Sequence, residues 1–548
     1  MKWSVALCLL AACAPHVRRH GPRKEAWLIV NADIHTMDPA HPHASAVAFS
    51  PDGEILEVGD DSIRRHYHAD KVLNGNGASV TPGLVDAHCH LYELGADSIV
   101  ADMRGATDAA DAAQKLAAGT PIGGWFHGAG WDQNKWPGAQ FPTRAALDVI
   151  EAPAVAERID GHASWANSAA LKLAGVTAAT KDPEGGSIVR DQSGEPTGVL
   201  IDTAQALVLS KLPPATGQQR VDFIQRAAKI AVSKGITAVH EMGISDEVAA
   251  TYRELAVRRL LPLRVYAFLR GDPDHPELMM GRHPQAPAGL FVMRGVKFFV
   301  DGALGSRGAR LKKVYTDEPS SFGLWVTPPA KLNPAIEDAV AGGWDVAVHA
   351  IGDAGVSAVI DAFAAARKAR PDAAAKVNLR IEHTQIIAPE DVPRMKAVGA
   401  IASMQPTHAT SDMAWAEQRI GPERIKGAYA WRTILDAKIP LIGGSDFPVE
   451  EVGPLLGIYA AVTRQDAQGN PPGGWYPAQR MTLDEAIAAF TRDAAAAEHV
   501  TDRGVIAPGK RADFTVYGGK LAPDASLLTI GVAMTIVDGR VVYERGSR

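Results

Sequence analysis

Eight short apolar runs, separated by Ala-rich stretches of helical character, leave this 548-residue chain few architectures. The runs are GLVDAHCH (83–90), ITAVHEM (236–242), LRVYAFL (263–269), MRGVKFFVD (293–301), DVAVHAIGD (345–353), VNLRIEHTQ (377–385), AIASMQPTH (400–408) and PLIGGSDF (440–447). Helical stretches such as 225–234, 355–369 and 482–497 fall between or after them. Eight strand–helix alternations predict an α/β protein with a (β/α)8 TIM-like barrel. The barrel is expected over 82–500. About 145 residues separate the first two runs, far more than a connecting loop needs. That Trp-, Gly- and Pro-rich stretch, about 92–220, is read as an insertion over the barrel mouth.

The ends of the chain read differently. Residues 26–81 and 501–548 carry short β-type runs broken by turn signals, among them Pro51-Asp52-Gly53. They predict one small β-sandwich built from both termini. Before it, MKWSVALCLLAACAPHVRRH has one Lys and then an apolar stretch too short to span a bilayer. Leu10-Ala11-Ala12-Cys13 resembles a bacterial lipobox, so residues 1–12 are read as a lipoprotein signal peptide. Cys13 is the expected lipidation site and 13–25 a tether, which places the protein at the cell envelope, lipid-anchored to a membrane. Lys and Arg number 56 against 62 Asp and Glu, a net charge of −6. That balance argues against a nucleic-acid partner and leaves a large enzyme, with a small-molecule substrate, or a large binding protein as the expectations.

Barrel enzymes place their chemistry at the C-terminal ends of the strands. There the first run ends Asp86-Ala87-His88-Cys89-His90. Residues i and i+2 of a strand share a face, so His88 and His90 project together and form half of a metal site. His-x-His alone is a weak signal; His41-Pro42-His43 and His66-Tyr67-His68 repeat it in the terminal β-region. Three more run ends supply His349, His383 and Asp446. Lys297 stands inside an apolar run, where a charged amine is costly to bury. Either it pairs with a carboxylate, Asp301 or Glu241, or it is neutral and reacts with CO2 to give a carbamate able to bridge two cations.

These positions and the strings around them resemble the amidohydrolase superfamily. TPGLVDAHCHL, GWDQNKW, DGHASWANSAAL, VKFFVDGALGSRGA, VHAIGD, RIEHTQ, MQPTHATSDMAWAEQRIG, GGSDFPVE and PGKRADFTV are similar to its amidohydrolase-3 branch, which includes N-substituted formamide deformylase-like proteins. The resemblance implies two divalent metal ions. His88, His90 and Asp446 would hold one, and His349 and His383 the other, with carboxylated Lys297 and a hydroxide as bridges. The N and O ligand set suits Zn2+, and Mn2+, Fe2+ or Co2+ would also fit. It also implies proton transfer by Asp446 and an oxyanion-stabilising His162 within DGHASWAN, whose Asp160 and Asn167 match too. His240, Glu241 and His408 are expected to support ligands or substrate, with His408 ending the seventh strand. Ser306 and Arg307 are expected at the substrate. Trp131, with Trp125, Trp136 and Trp165, either walls an apolar pocket or forms the insertion's own core. Homodimers are common among such proteins.

The function expected is hydrolysis of a C–N bond in an amide, formamide or cyclic amide. A deaminase of the same fold is the alternative, although deaminases commonly use one metal and lack the strand-4 Lys. A tethered binding protein would be expected to have lost some of the six ligands. The sequence has no G-x-S-x-G, H-E-x-x-H or P-loop.

Overall fold

A computed structural model describes residues 24–275 and 281–546; Cys13, the expected lipid site, lies outside them. Among the described residues, no helix is long and apolar enough to cross a membrane.

The eight runs form one parallel sheet: β1 (Leu84–Cys89), β2 (Ile236–Ile244), β3 (Arg264–Arg270), β4 (Phe291–Phe299), β5 (Asp345–Ala350), β6 (Leu379–His383), β7 (Ile401–Met404) and β8 (Leu441–Gly443). Each pairs with its neighbour in sequence. Strands covered on both faces read as continuous apolar runs, and β1, β5, β6 and β8 are buried throughout. Helices cover the outside; Ile336 and Val340 of Pro329–Ala341 and Val356 and Phe363 of Asp353–Ala369 pack into the same core as the strands.

The barrel closes at its polar end. Just past β8, the Asp446 amide donates to His88 O (2.7 Å) and the His90 amide to Phe447 O (2.8 Å). The two chains approach so closely that a Cβ on Gly444 would sit 2.5 Å from the His88 nitrogen. Glycine is required there by close approach. β7 stops at Met404 because Pro406 opens the helix Pro406–Asp412, where its missing N–H costs nothing. His408 therefore rides on that helix, which corrects the expectation that it ends the seventh strand. The helical stretch 482–497 is likewise two helices, Leu483–Ala489 and Arg492–Ala496. A capping box of Thr482 and Glu485 starts the first.

Two further sheets stand outside the barrel. One has strands Ile55–Gly59, Ala46–Phe49, Lys24–Val30 and Tyr67–Asn74 in that order. The other joins both ends of the chain, since Phe514–Tyr517 pairs antiparallel with Ser79–Pro82. Ile29, Val47 and Phe49 of the first sheet share an apolar core with Val80, Phe514 and Ile536 of the second. Between β1 and β2 lies a six-stranded sheet from Ala101–Asp102 to Pro196–Asp202, with a core of its own.

Candidate metal centre

All six expected donors meet at the mouth of the barrel. Asp446 Oδ1 stands 3.4 Å from His88 Nε2 and 3.3 Å from His90 Nε2. One donor atom each from His88, His383 and Asp446 lies within 4.8 Å of the others. The His383 ring is 4.8 Å from that of His88 and 4.6 Å from that of His349, centroid to centroid. Lys297 Nζ is 3.3 Å from His88 Nε2. Backbone conformation contributes to the convergence: His383 (φ 71°) and Asp446 (φ 63°) both occupy the left-handed region, which costs non-glycine residues free energy and clusters at functional sites.

The donor set fits divalent cations. Asp446 Oδ1 is buried and has no hydrogen-bond partner. Donors on a tetrahedral ion bound at about 2.0–2.1 Å are roughly 3.3–3.4 Å apart, the spacing found here. Partners of one ring nitrogen turn the other toward the centre, where that of His88 meets Lys297. His88 Nδ1 is 2.5 Å from Glu382 Oε2, and His383 Nδ1 is 2.9 Å from Gln405 Oε1. His349 Nε2 faces Gly302 O at 3.4 Å, which leaves its Nδ1. Burial holds His88, His349 and His383 below the usual imidazole range, so these rings are neutral and able to ligate. Asp446 goes the other way. Burial alone would raise it, but the surrounding histidines hold it well below the usual carboxylate range.

Lys297 is 1% exposed. Burial lowers its amine to about 8, and Glu382 and Asp446 only partly oppose that. Both carboxylates considered as its partners are engaged elsewhere. Asp301 accepts from the amides of Arg310 (2.8 Å), Ile351 (3.0 Å) and Gly352 (2.8 Å). Glu241 accepts from the Tyr92 amide (2.9 Å) and Tyr252 hydroxyl (3.0 Å), and caps the segment after His90.

His240 lies beneath the centre. Arg380 Nη1 contacts His240 Nδ1 at 2.8 Å, and the same guanidinium donates to Glu382 (2.8 and 3.0 Å) and to Ala87 O (2.7 Å). β2 and β6 are not neighbours, so this contact crosses the barrel interior. The chain Glu498–His240–Arg380–Glu382–His88 thus fixes a ligand from below. His408 bridges two carboxylates, Asp446 Oδ2 at 3.2 Å and Glu450 Oε1 at 3.0 Å. Burial disfavours its charged form, but those carboxylates outweigh burial and raise its pKa well above normal.

From the insertion, His162 reaches the mouth, 4.7 Å from His349 between ring centroids. Its Nδ1 is 2.6 Å from Asp202 Oδ1. Ser306 and Arg307 are occupied within their own surroundings. The Ser306 hydroxyl donates to Ala303 O (3.3 Å), and Arg307 pairs with Asp317 (2.9 Å). Trp131 does not join the site. It is fully buried, 6.0 Å from both Trp136 and Trp165, and its Nε1 donates to Ala156 O (2.9 Å). Beside His90 a cavity of about 530 Å3 opens, lined by Tyr92, Glu93, Arg220, Glu241 and Arg270.

The amidohydrolase family model matches residues 71–543. A putative amidohydrolase, YtcJ, from Bacillus subtilis (strain 168) is 33% identical over 531 residues, covering 93% of this chain and 98% of that one. An N-substituted formamide deformylase from Arthrobacter pascens is 28% identical, covering 94% and 98%. The crystal structure of an uncharacterized metal-dependent hydrolase from Pyrococcus horikoshii OT3 superposes with a TM-score of 0.71 at 27% identity, covering 90% and 97%.

Proposed function

The chain belongs to the amidohydrolase family and is a metal-dependent hydrolase; we propose that it cleaves a C–N bond of a small amide, formamide or cyclic amide with two divalent cations, Zn2+ in the first instance. The observation that carries this reading is Asp446. One carboxylate oxygen is buried and unbonded among His88 and His90, and the other rests on His408. In this reading His88, His90 and Asp446 hold one ion and His349 and His383 the other. When bound, such ions lower the pKa of a shared water and polarise a carbonyl. The residues do the rest. Asp446 accepts the water's proton at Oδ2 and delivers it to the leaving nitrogen, while His408 and Glu450 keep that carboxylate in place. His162, oriented by Asp202, donates to the developing oxyanion. Lys297, held neutral by burial, could add CO2 with loss of one proton, and the resulting carbamate would supply an anionic oxygen donor to the ions. The cavity beside His90 receives the substrate.

The named activity of the Arthrobacter relative sets the panel for a test. Metal analysis and a series of N-substituted formamides, amides and cyclic amides should give bound divalent metal and release of amine. Chelation should abolish turnover and Zn2+ restore it. Ammonia release from an aminated heterocycle, with every amide untouched, would overturn this reading in favour of a deaminase. We also propose that Cys13 carries a lipid anchor at the cell envelope. Expressed in a bacterium, the wild type should partition with membranes and Cys13→Ala should not; a soluble wild type with an intact N-terminus would end that proposal.

A further inference from the structure

A second group of metal-binding side chains lies in the β-sandwich. His35, on strand Asp33–His35, stands directly opposite His43, on strand His43–Ala44, in an antiparallel pair. Cross-strand partners project to the same side, and the two rings are 5.1 Å apart at their centroids. Asp33 shares the face of His35 because it lies two residues before it. Its Oδ2 is 3.3 Å from His35 Nε2. One donor atom from each of Asp33, His35 and His43 lies within 4.8 Å of the other two. Without an ion this contact is a hydrogen bond, but its 3.3 Å length is also that of a tetrahedral edge between two ligand atoms, as between Asp446 and His90 at the barrel mouth.

The support around this group is that of a ligand set. The Ser79 hydroxyl donates to Asp33 Oδ2 at 2.9 Å and orients the carboxylate; the exposed Lys520 ammonium lies 3.9 Å from the same oxygen. His35 is only 7% exposed, and its second nitrogen, Nδ1, is buried without a hydrogen-bond partner. The nearest carboxylate oxygen to it is Asp484 Oδ1, 3.9 Å away. An unpartnered buried ring nitrogen is costly. An ion on Nε2 would place the proton on Nδ1 and give Asp484 a donor to close upon, the carboxylate–histidine–metal relation typical of such sites. His43 is exposed, which leaves room for water to complete the coordination.

We propose that Asp33, His35 and His43 bind one further divalent transition-metal ion, Zn2+ by their donor chemistry, with Asp484 behind His35. The site has a structural purpose. Asp484 belongs to the helix Leu483–Ala489, and the carbonyl of Phe490 just beyond it accepts the amide of Val85 on β1 (2.7 Å). The ion therefore ties the sandwich to the barrel.

The test uses the full chain with its barrel centre already loaded. Titration with ZnCl2, followed by equilibrium dialysis and elemental analysis, should show one additional equivalent. His43→Ala, an exposed position, should weaken that equivalent by at least about tenfold and leave hydrolytic turnover unchanged. Asp33→Asn, which keeps the side-chain shape, should do the same. Added Zn2+ should raise the thermal unfolding temperature of the wild type and not of either variant. An additional equivalent bound equally by wild type and both variants, or no additional equivalent in the wild type, overturns the proposal.

Discussion

Buried rings crowd both the barrel mouth and the inserted subdomain, and they are held there in different ways. In the insertion, Trp131, Trp136 and Trp165 pack on one another at 6.0–6.4 Å. The indole nitrogens of Trp131 and Trp136 are spent on carbonyls of the same subdomain, Ala156 and Ala106. In the mouth, His88 and His383 each spend Nδ1 on a partner from another part of the barrel and turn Nε2 toward the centre, where His88 meets Lys297 and Asp446. Apolar burial is complete once the rings touch. Burial of a neutral imidazole is complete only when something occupies its remaining lone pair. The first arrangement is an apolar core in which one indole nitrogen, that of Trp165, stays unpartnered; the second gathers several donor atoms on one point and is a ligand set. His162 is the place where the two regions meet, carried on insertion backbone with its ring against His349.

If that contrast is right, changes in the mouth remove activity while the fold survives. The largest effect is expected at Asp446. Asp446→Asn keeps the shape and removes the proton acceptor, so kcat should fall by about 10²–10⁴-fold with circular dichroism unchanged. Wild-type kcat in that variant would take Asp446 out of the chemistry. Lys297→Ala should lose bound metal and turnover together, and short carboxylic acids or bicarbonate should partly restore both. Elemental analysis alongside kinetics measures this, and full metal content without added acid would remove the bridge.

The same contrast explains what could be read from the sequence. Strand alternation brings His88 and His90 to one face, and the ends of apolar runs mark His349, His383 and Asp446, because a barrel converts run ends into one rim. The alternation rule fails at Glu382. A neighbour of His383 should face away from it, yet His383 turns at φ 71°, and both side chains serve the centre. Asp202 carries no local signal at all. It meets His162 from 40 residues away, through a sheet that exists only inside the insertion. His408 looked like a strand end until Pro406 is seen to start a helix. Trp131 was open between pocket and core because an aromatic residue in an insertion suits both; its burial beside two other tryptophans decides it.

Glu382 also sharpens the contrast within the mouth, because it touches no expected ion and acts only by orienting His88. Glu382→Gln retains the shape and weakens the hold on His88 Nδ1, so metal affinity should drop by about 10–100-fold. Competition with a chromogenic chelator would measure it. Excess Zn2+ should recover most of kcat, as expected of a positioning residue. Unaltered affinity would mean that the Arg380–Glu382 network serves only the barrel interior.

The smallest effect on chemistry belongs to the tryptophan cluster of the insertion. Trp131→Phe removes the indole N–H that reaches Ala156 O and opens a small space against Trp136 and Trp165. A lost buried hydrogen bond and incomplete repacking together cost about 1–3 kcal/mol. The urea unfolding curve, followed by far-UV circular dichroism, should shift to lower denaturant. The kcat and KM of the folded enzyme should stay at wild-type values, because the ring faces its own core and not the cavity beside His90. A variant with unchanged stability and a raised KM would invert the comparison, making the tryptophan cluster part of the substrate wall and the insertion a participant in recognition rather than a scaffold for His162.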